Sequence, residues 1–494
     1  MTPPPESPSL AGRGVMRRIP YAFARSGQLL VRDPARQPVV VEVSAETRPE
    51  ALAELARQLG PLQLCRQEPA QLAAAIQEYY AHQDGTAAQV VGEVEGEIDL
   101  SRLMQDIPPL EDLLESEDDA PIIRMINALL TQAIRDQASD VHVEPFEDGS
   151  LVRFRVDGGL REVVRPQRAL HAALISRIKI MAQLDIAEKR LPQDGRMALR
   201  VAGRPIDVRV STLPTGHGER AVLRLLAKDG GRLELSALGM GDEVLAGFDA
   251  LIGRPHGIVL VTGPTGSGKT TTLYAAIQRM QNARRNIMTV EDPIEYELHG
   301  IGQTQVNDRI GMSFARALRS ILRQDPDVIM IGEIRDLETA RIAVQASLTG
   351  HLVLATLHTN DASSAVTRLV DMGIEPFLLA SSLRGVLAQR LVRLLCPGCA
   401  LPPSMSFDPH WRAAGCPACG GSGYRGRRGV YELLRVDESL RALIHQRQAE
   451  TALRQAARAN GMRSLREDAG RWLEAGKTSL EEVLRVVGEG TVDS

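Results

Sequence analysis

No apolar run in this 494-residue chain approaches the roughly 18 residues needed to cross a bilayer. The longest, such as Ile258–Val261 and Val328–Ile331, read as buried strands. The first residues, Met1 to Arg18, are polar and proline-rich and lack the apolar core of a secretory signal. The chain is therefore expected to stay inside the cell, with any membrane contact made through a partner. Excess charge of one sign is missing too: a formal net charge of −4 with interspersed signs leaves no general electrostatic footprint for nucleic acid. Cysteines are few. Of the five, four fall in two close pairs and Cys65 stands alone, which in a cytosolic chain favours metal binding over disulfides and leaves Cys65 a packed or idle thiol. What is present, 44% apolar and 24% charged residues, is ordinary globular usage in a chain too long for one core, so two to four domains are expected.

Composition places the boundaries. A disordered leader (1–18) precedes a small α/β domain (19–83) with short apolar strands at Leu29–Val31 and Val39–Val43 and a helical pattern over Arg48–Leu59. Met16 is a second candidate start. Residues 84–118 form an acidic linker, with clusters at Glu93–Asp99 and Glu111–Asp118 that suit an exposed hinge. A second domain (119–228) opens with an amphipathic helix at Ile122–Ile134 and continues through alternating segments such as Leu151–Val156. The turn Asp157-Gly158-Gly159 suits a hairpin. The third domain (229–494) alternates strand-like runs with helical stretches, the pattern of a sheet covered by helices. The fold class is thus α/β.

Gly263-Pro264-Thr265-Gly266-Ser267-Gly268-Lys269-Thr270 matches the P-loop pattern, and it follows the apolar run Gly257–Val261 and precedes a helical stretch beginning near Thr271. Glycines let backbone N–H groups converge on phosphate oxygens, and the helix start adds its positive end. Lys269 is the expected ligand of the β- and γ-phosphates, and Thr270 of magnesium. Downstream, Asp327–Glu333 is a buried-strand pattern ending in a carboxylate, which places Glu333 near magnesium and water. Thr289–Glu295 sets three carboxylates after another apolar strand, and both Glu291 and Glu295 are candidate water-activating bases. On the helical pattern Ser313–Arg323, Arg316, Arg319 and Arg323 share a face that suits solvent, a phosphate or a neighbour's acidic edge. His351 and His358 flank the run Leu352–Ala355, and one or both are candidates for the nucleotide end of the sheet.

In order and spacing, the P-loop, Glu291-Asp-Pro-Ile-Glu295, Gly332-Glu-Ile-Arg-Asp336 and Thr349–Thr359 resemble the Walker A, aspartate-box, Walker B and histidine-box segments of secretion and pilus ATPases. The resemblance implies a RecA-like ATPase domain working in a hexameric ring. In it Lys269 and Thr271 bind ATP with the rest of the loop, Glu295 is the catalytic glutamate, Glu333 supports magnesium and water, and His358 senses the γ-phosphate. Ala138–Pro145 and Val208–Arg220 resemble the family's PAS-like second N-terminal domain. There, arginines matching Arg209 and Arg224 swing onto the nucleotide and stabilise the transferring phosphoryl group.

Cys396-Pro-Gly-Cys399 and Cys416-Pro-Ala-Cys419 have the spacing of a closed four-thiolate zinc site, structural rather than catalytic, holding a small lobe at about 392–431. C-terminal helices follow at 432–494. The lobe resembles the insertion of type II secretion and pilus-extension ATPases and disfavours a retraction motor. Arg17–Arg25 is similar to the start of the docking domain of type II secretion ATPases. That similarity implies as partners the cytoplasmic domain of an inner-membrane platform protein and a polytopic platform protein, with acidic phospholipids close by. The expectation is a cytoplasmic hexameric motor, peripheral to the inner membrane, that drives pseudopilus assembly. A pilus-extension or competence ATPase is the nearest alternative. A nucleic-acid motor is disfavoured for want of an aromatic and basic groove pattern, and a slow regulatory nucleotide-binding module is a third possibility.

Overall fold

The computed structural model describes residues 19, 21–33, 38–83, 121–201, 204–227, 234–281, 284–403 and 409–488. The expected leader, Met16 and the acidic linker lie outside the described residues. The chain divides into two compact units, 1–228 and 229–494.

The first unit opens with three helices, α1 (Tyr21–Gly27), α2 (Pro49–Leu59) and α3 (Pro69–Gln83), around a three-stranded sheet. Its strands are β1 (Leu29–Val31), antiparallel to β2 (Val39–Val43), and β3 (Leu62–Arg66), parallel to β2. Helix α2 starts with proline at its first turn, where a missing N–H costs nothing. Phe23, Leu30, Val41, Leu55 and Leu72 close the core. Edge strand β3 is largely exposed, and Cys65 on it faces solvent rather than packing.

The same unit carries an antiparallel six-stranded sheet in the order β6-β5-β4-β9-β8-β7. Its strands are β4 (Asp140–Pro145), β5 (Ser150–Val156), β6 (Gly159–Val164), β7 (Gln193–Val201), β8 (Arg204–Thr215) and β9 (Gly218–Ala227). The β5–β6 hairpin turns at Asp157 and Gly158, both with positive φ (50° and 83°), as a two-residue primed turn requires. Helices α4 (Pro121–Arg135) and α5 (Arg168–Met181) share one core with alternate strand residues: Leu129, Leu174 and Ile178 meet Val141, Val143, Phe154, Val208 and Val210. Because strand side chains alternate, the other face receives Asp140, His142, Arg155, Arg209 and Arg224.

The second unit is a seven-stranded sheet in the order β12-β11-β13-β14-β10-β15-β16, parallel throughout except for β16. The strands are β10 (Gly257–Thr262), β11 (Ile287–Glu291), β12 (Gly302–Gln305), β13 (Val328–Ile331), β14 (Leu352–Leu357), β15 (Leu383–Leu395) and β16 (Tyr424–Arg435). Strand β10 is buried at every residue, with Ile258 and Leu260 in one core layer and Val259 and Val261 in the other. Such two-sided burial is what a central parallel strand demands, and each aliphatic side chain so covered contributes roughly 1.5–3 kcal/mol. Between strands run α6 (Asp242–Ile252), α7 (Lys269–Met280), α8 (Phe314–Ile321), α9 (Leu337–Leu348), α10 (Ala362–Asp371) and α11 (Pro376–Ser382). After β16 come α12 (Glu438–His445), α13 (Glu450–Ala459), α14 (Leu465–Glu474) and α15 (Leu480–Val487). Strands β15 and β16 run into both ends of the span expected for the cysteine lobe, so its cysteines sit on the excursion between them.

Candidate functional site

Parallel pairing brings the carboxyl ends of β10, β11, β13 and β14 to one edge of the sheet, the edge where open α/β sheets bind ligands. At the end of β10 the chain turns through Gly263, Gly266 and Gly268, at φ 148°, 78° and 86°, conformations open to glycine. A Cβ on Gly263 would lie 2.3 Å from the Gln389 carbonyl, and one on Gly268 would lie 2.8 Å from Gln389 Nε2. Buried Gln389 on β15 also accepts the Thr272 hydroxyl at 2.7 Å, so it backs the whole loop. Helix α7 starts at Lys269, two residues before the start the sequence suggests. Lys269 Nζ donates to the carbonyls of Gly263 (2.7 Å) and Pro264 (3.0 Å). Burial lowers its pKa to about 8, against the pull of Glu333. Pro264, Thr265 and Gly266 are exposed at the crest, and Thr270 and Thr271 begin the helix. Ser267 Oγ is buried with no hydrogen-bond partner among the described residues, so this cradle keeps a donor for a phosphate oxygen.

Glu333 follows β13 and meets three groups. Arg335 is ion-paired to it, His358 Nε2 lies 3.4 Å from Oε2, and Lys269 feels its charge. Arg335 also lies 3.8 Å from Asp292, which ties the aspartate box to this corner. Burial, with Lys269 second, lowers the His358 pKa despite Glu333, so a neutral imidazole faces the loop near neutral pH. Thr359 and Thr262 clasp the ends of β14 and β10 through their hydroxyls at 2.7 Å. His351 stands at the opposite end of β14, its Nδ1 2.9 Å from the Ala346 carbonyl, and so is not at the nucleotide edge.

The two candidate bases separate. Glu291 is 2% exposed and accepts from Tyr274, Thr289 and Gln303. Bonded at both oxygens, it is placed as an anchor of the β11 end rather than as a base meeting water. Glu295 is half-buried in the loop that follows. Arg316 and Arg319 lie on the exposed face of α8 and Arg323 is exposed just past its end: Arg319 pairs with Glu338, Arg316 donates to the Gly311 carbonyl, and Arg323 to the Arg319 carbonyl. In the first unit, Arg224 Nε donates to Asp140 at 2.9 Å, and Arg209 stands directly across from Arg224 on the neighbouring strand.

A family model for type II/IV secretion system proteins matches residues 115–485. The chain belongs to the type II/IV secretion system protein family. Within this family it is 64% identical to the type II secretion system protein HxcR of Pseudomonas aeruginosa, over 95% of this chain and 99% of that protein. It is 53% identical to the type II secretion system ATPase E of Vibrio cholerae, over 97% and 99%. Among solved structures it is similar to the pilus retraction motor PilT with bound ADP, at 29% identity and TM-score 0.51, over 72% of this chain and 95% of that one. The ATPase DotB of Legionella pneumophila, 23% identical with TM-score 0.55 over 77% and 97%, shares the fold. The α/β P-loop fold and the ATP hydrolase expected from the sequence stand with these relatives.

The secretion family chain also brings its four paired cysteines together. The Sγ atoms of Cys396 and Cys416 lie 3.8 Å apart, those of Cys399 and Cys419 3.8 Å, and those of Cys416 and Cys419 3.7 Å. A tetrahedral zinc with bonds of about 2.3 Å separates its sulfurs by roughly 3.8 Å, so the donor set fits that ion. Backbone N–H groups of Cys416 (3.1 Å) and Gly423 (3.2 Å) donate to Cys419 Sγ, which favours the thiolate a metal needs.

The sequence pointed to these loops but not to their supports. Tyr274, Gln303 and Gln389 lie outside the motif segments and carry no signal of their own. They are functional neighbours because the fold brings together residues 12 to 117 positions apart, as in Gln303 with Glu291 and Thr272 with Gln389.

Proposed function

We propose that this chain is the ATP-hydrolysing motor of a type II secretion system, assembled as a hexamer that drives pseudopilus growth. The observation that carries the reading is the convergence of Lys269, Glu333 and His358, with the Glu291–Glu295 loop alongside, at one sheet edge. The full P-loop, Gly263 to Thr271, cradles the phosphates and Lys269 carries the positive charge. Thr270 and Glu333 hold magnesium, which when bound neutralises phosphate charge. Glu295 accepts a proton from the attacking water. His358, whose Nε2 faces the Glu333 carboxylate, stands beside the phosphate loop as the sensor of the γ-phosphate. Arg209 and Arg224 add charge on domain closure, so turnover is tied to motion. Zinc on the four cysteines is structural. The partners are the cytoplasmic domain of an inner-membrane platform protein and a polytopic platform protein beside acidic lipid, which hold a cytoplasmic protein at the inner membrane.

The test is ATPase turnover of the full chain with and without the platform protein's cytoplasmic domain and acidic vesicles, with Lys269→Ala as blank. Stimulation that disappears in the blank supports the secretion motor. No binding and no stimulation there, with stimulation by a pilus platform, moves the assignment to pilus extension. Stimulation by single-stranded nucleic acid moves it to a strand translocase.

A further inference from the structure

Strand β11, the loop after it and strand β12 meet beside the phosphate-loop helix α7. Tyr274, fully buried on α7, donates its hydroxyl to Glu291 Oε2 and accepts from the backbone N–H of Glu295 at 3.4 Å. Gln303 on β12 donates to Glu291 Oε1 at 3.1 Å and accepts from the Leu298 N–H at 2.6 Å. Thr289 donates to the same carboxylate. The Tyr296 ring stands edge-on to the Tyr274 ring, centroids 4.7 Å apart. Burial, with Glu291 beside it, pushes the Tyr274 phenol far above its ordinary range, so its hydroxyl stays a donor.

This arrangement joins two things hydrolysis needs in register. Helix α7 begins with Lys269 and Thr270, which hold the phosphates and magnesium, and Tyr274 lies one turn on from Thr270. Glu295 follows the strand end that Glu291 anchors. We propose that Tyr274 is a positioning residue for ATP hydrolysis, fixing Glu295 relative to the P-loop helix by bonding both the buried Glu291 carboxylate and the Glu295 backbone. Glu291 and Gln303 complete the brace. Without the hydroxyl, the loop bearing Glu295 is still packed by the tyrosine rings but no longer pinned to the helix that fixes the γ-phosphate. A base displaced by even an ångström loses much of its advantage.

The inference rests on Glu295 as the base, and a double-mutant cycle on the full chain separates the two. Tyr274→Phe removes one oxygen and keeps the ring, so the chain still folds, melting somewhat lower because buried Glu291 loses one donor. Its kcat falls roughly tenfold to hundredfold while KM for ATP and ADP affinity hold within about twofold. In a Glu295→Gln background, Tyr274→Phe costs nothing further, because the group it positions is gone. Loss of ADP affinity together with kcat, or full multiplication of the two defects, overturns the positioning role and leaves the base assignment standing. Retained turnover in Glu295→Gln alone overturns both.

Discussion

Arg209 on β8 is the direct cross-strand neighbour of Arg224 on β9, two cations side by side on the polar face of the first unit's larger sheet. Like charges in that register weaken a sheet, so fold stability does not explain the pair. Asp140, 4% exposed, takes the Arg224 guanidinium at 2.9 Å. Arg209→Gln should leave the chain folded while ATPase turnover of the full chain falls several-fold. Arg224→Gln should cost about 1 kcal/mol as well, because it removes a partner from a buried carboxylate. Paired melting curves and turnover decide it: unchanged turnover in Arg209→Gln ends its role in closure.

Lys269 gives nucleotide binding a pH signature. Without nucleotide its pKa is about 8, against an ordinary 10.5, because burial disfavours the ammonium. Phosphate favours the ammonium and pulls the pKa back up. Between those two values, then, the free loop is deprotonated and the complex protonated, so binding takes up a proton. Affinity for ADP should hold below pH 8 and weaken as pH climbs above it. Calorimetry at pH 9 in two buffers of different ionisation enthalpy should show uptake approaching one proton. Lys269→Arg, charged throughout, should show none. Equal heats in both buffers for the native chain would refute the assignment.

Gly268 is a tight local constraint in the cradle. At φ 86° it sits in the left-handed region, and a Cβ there meets the amide of Gln389 at 2.8 Å. Gly268→Ala pays about 1 kcal/mol for the conformation, a cost the loop can escape by unwinding the first turn of α7. The expected result is a chain that melts within a few degrees of the native one yet binds ADP at least tenfold more weakly. Native affinity would show that the loop has room the structure denies it.

Local chemistry explains which parts were legible beforehand. Strands Leu29–Val31 and Val39–Val43 and the Asp157-Gly158 hairpin come from apolar runs bounded by turn residues, and the structure has them at the same positions. The P-loop is legible because its glycines answer to a backbone conformation, which depends on no distant residue. Glu291 was not. In sequence it is one carboxylate among three after a strand, and its commitment to Tyr274 and Gln303, 17 and 12 residues away, arises from packing. From the run alone His351 and His358 were equal candidates, though the resemblance singled out His358, and parallel pairing of β14 with β10 puts the His358 end beside the P-loop. Pairing register settles such questions, and a single sequence does not state it.

The cysteine lobe makes the last prediction. Its base is tied to the C-terminal helices: Arg393 lies over the Tyr424 ring at 4.1 Å and pairs with buried Glu482 on α15, while Tyr424 bonds Ser479 at 2.6 Å. Trp411, carried on the lobe, packs so close to Gly476 that a Cβ there would lie 2.6 Å from its ring nitrogen. The lobe is thus held at its base by polar contacts and by the Trp411 indole packed against Gly476. If zinc closes those thiolates, the purified chain carries one zinc, and Cys399→Ser carries less than about a tenth of one. Losing the ion should free Trp411 before the base contacts, because the Arg393–Glu482 pair does not depend on it. In a Trp472→Phe background, where Trp411 is the remaining tryptophan, Cys399→Ser should shift the emission to the red and make it quenchable, while ADP binding at Lys269 persists. An unshifted emission in a zinc-free chain would mean that the lobe is held by its protein contacts alone, and that the cysteines serve some other end.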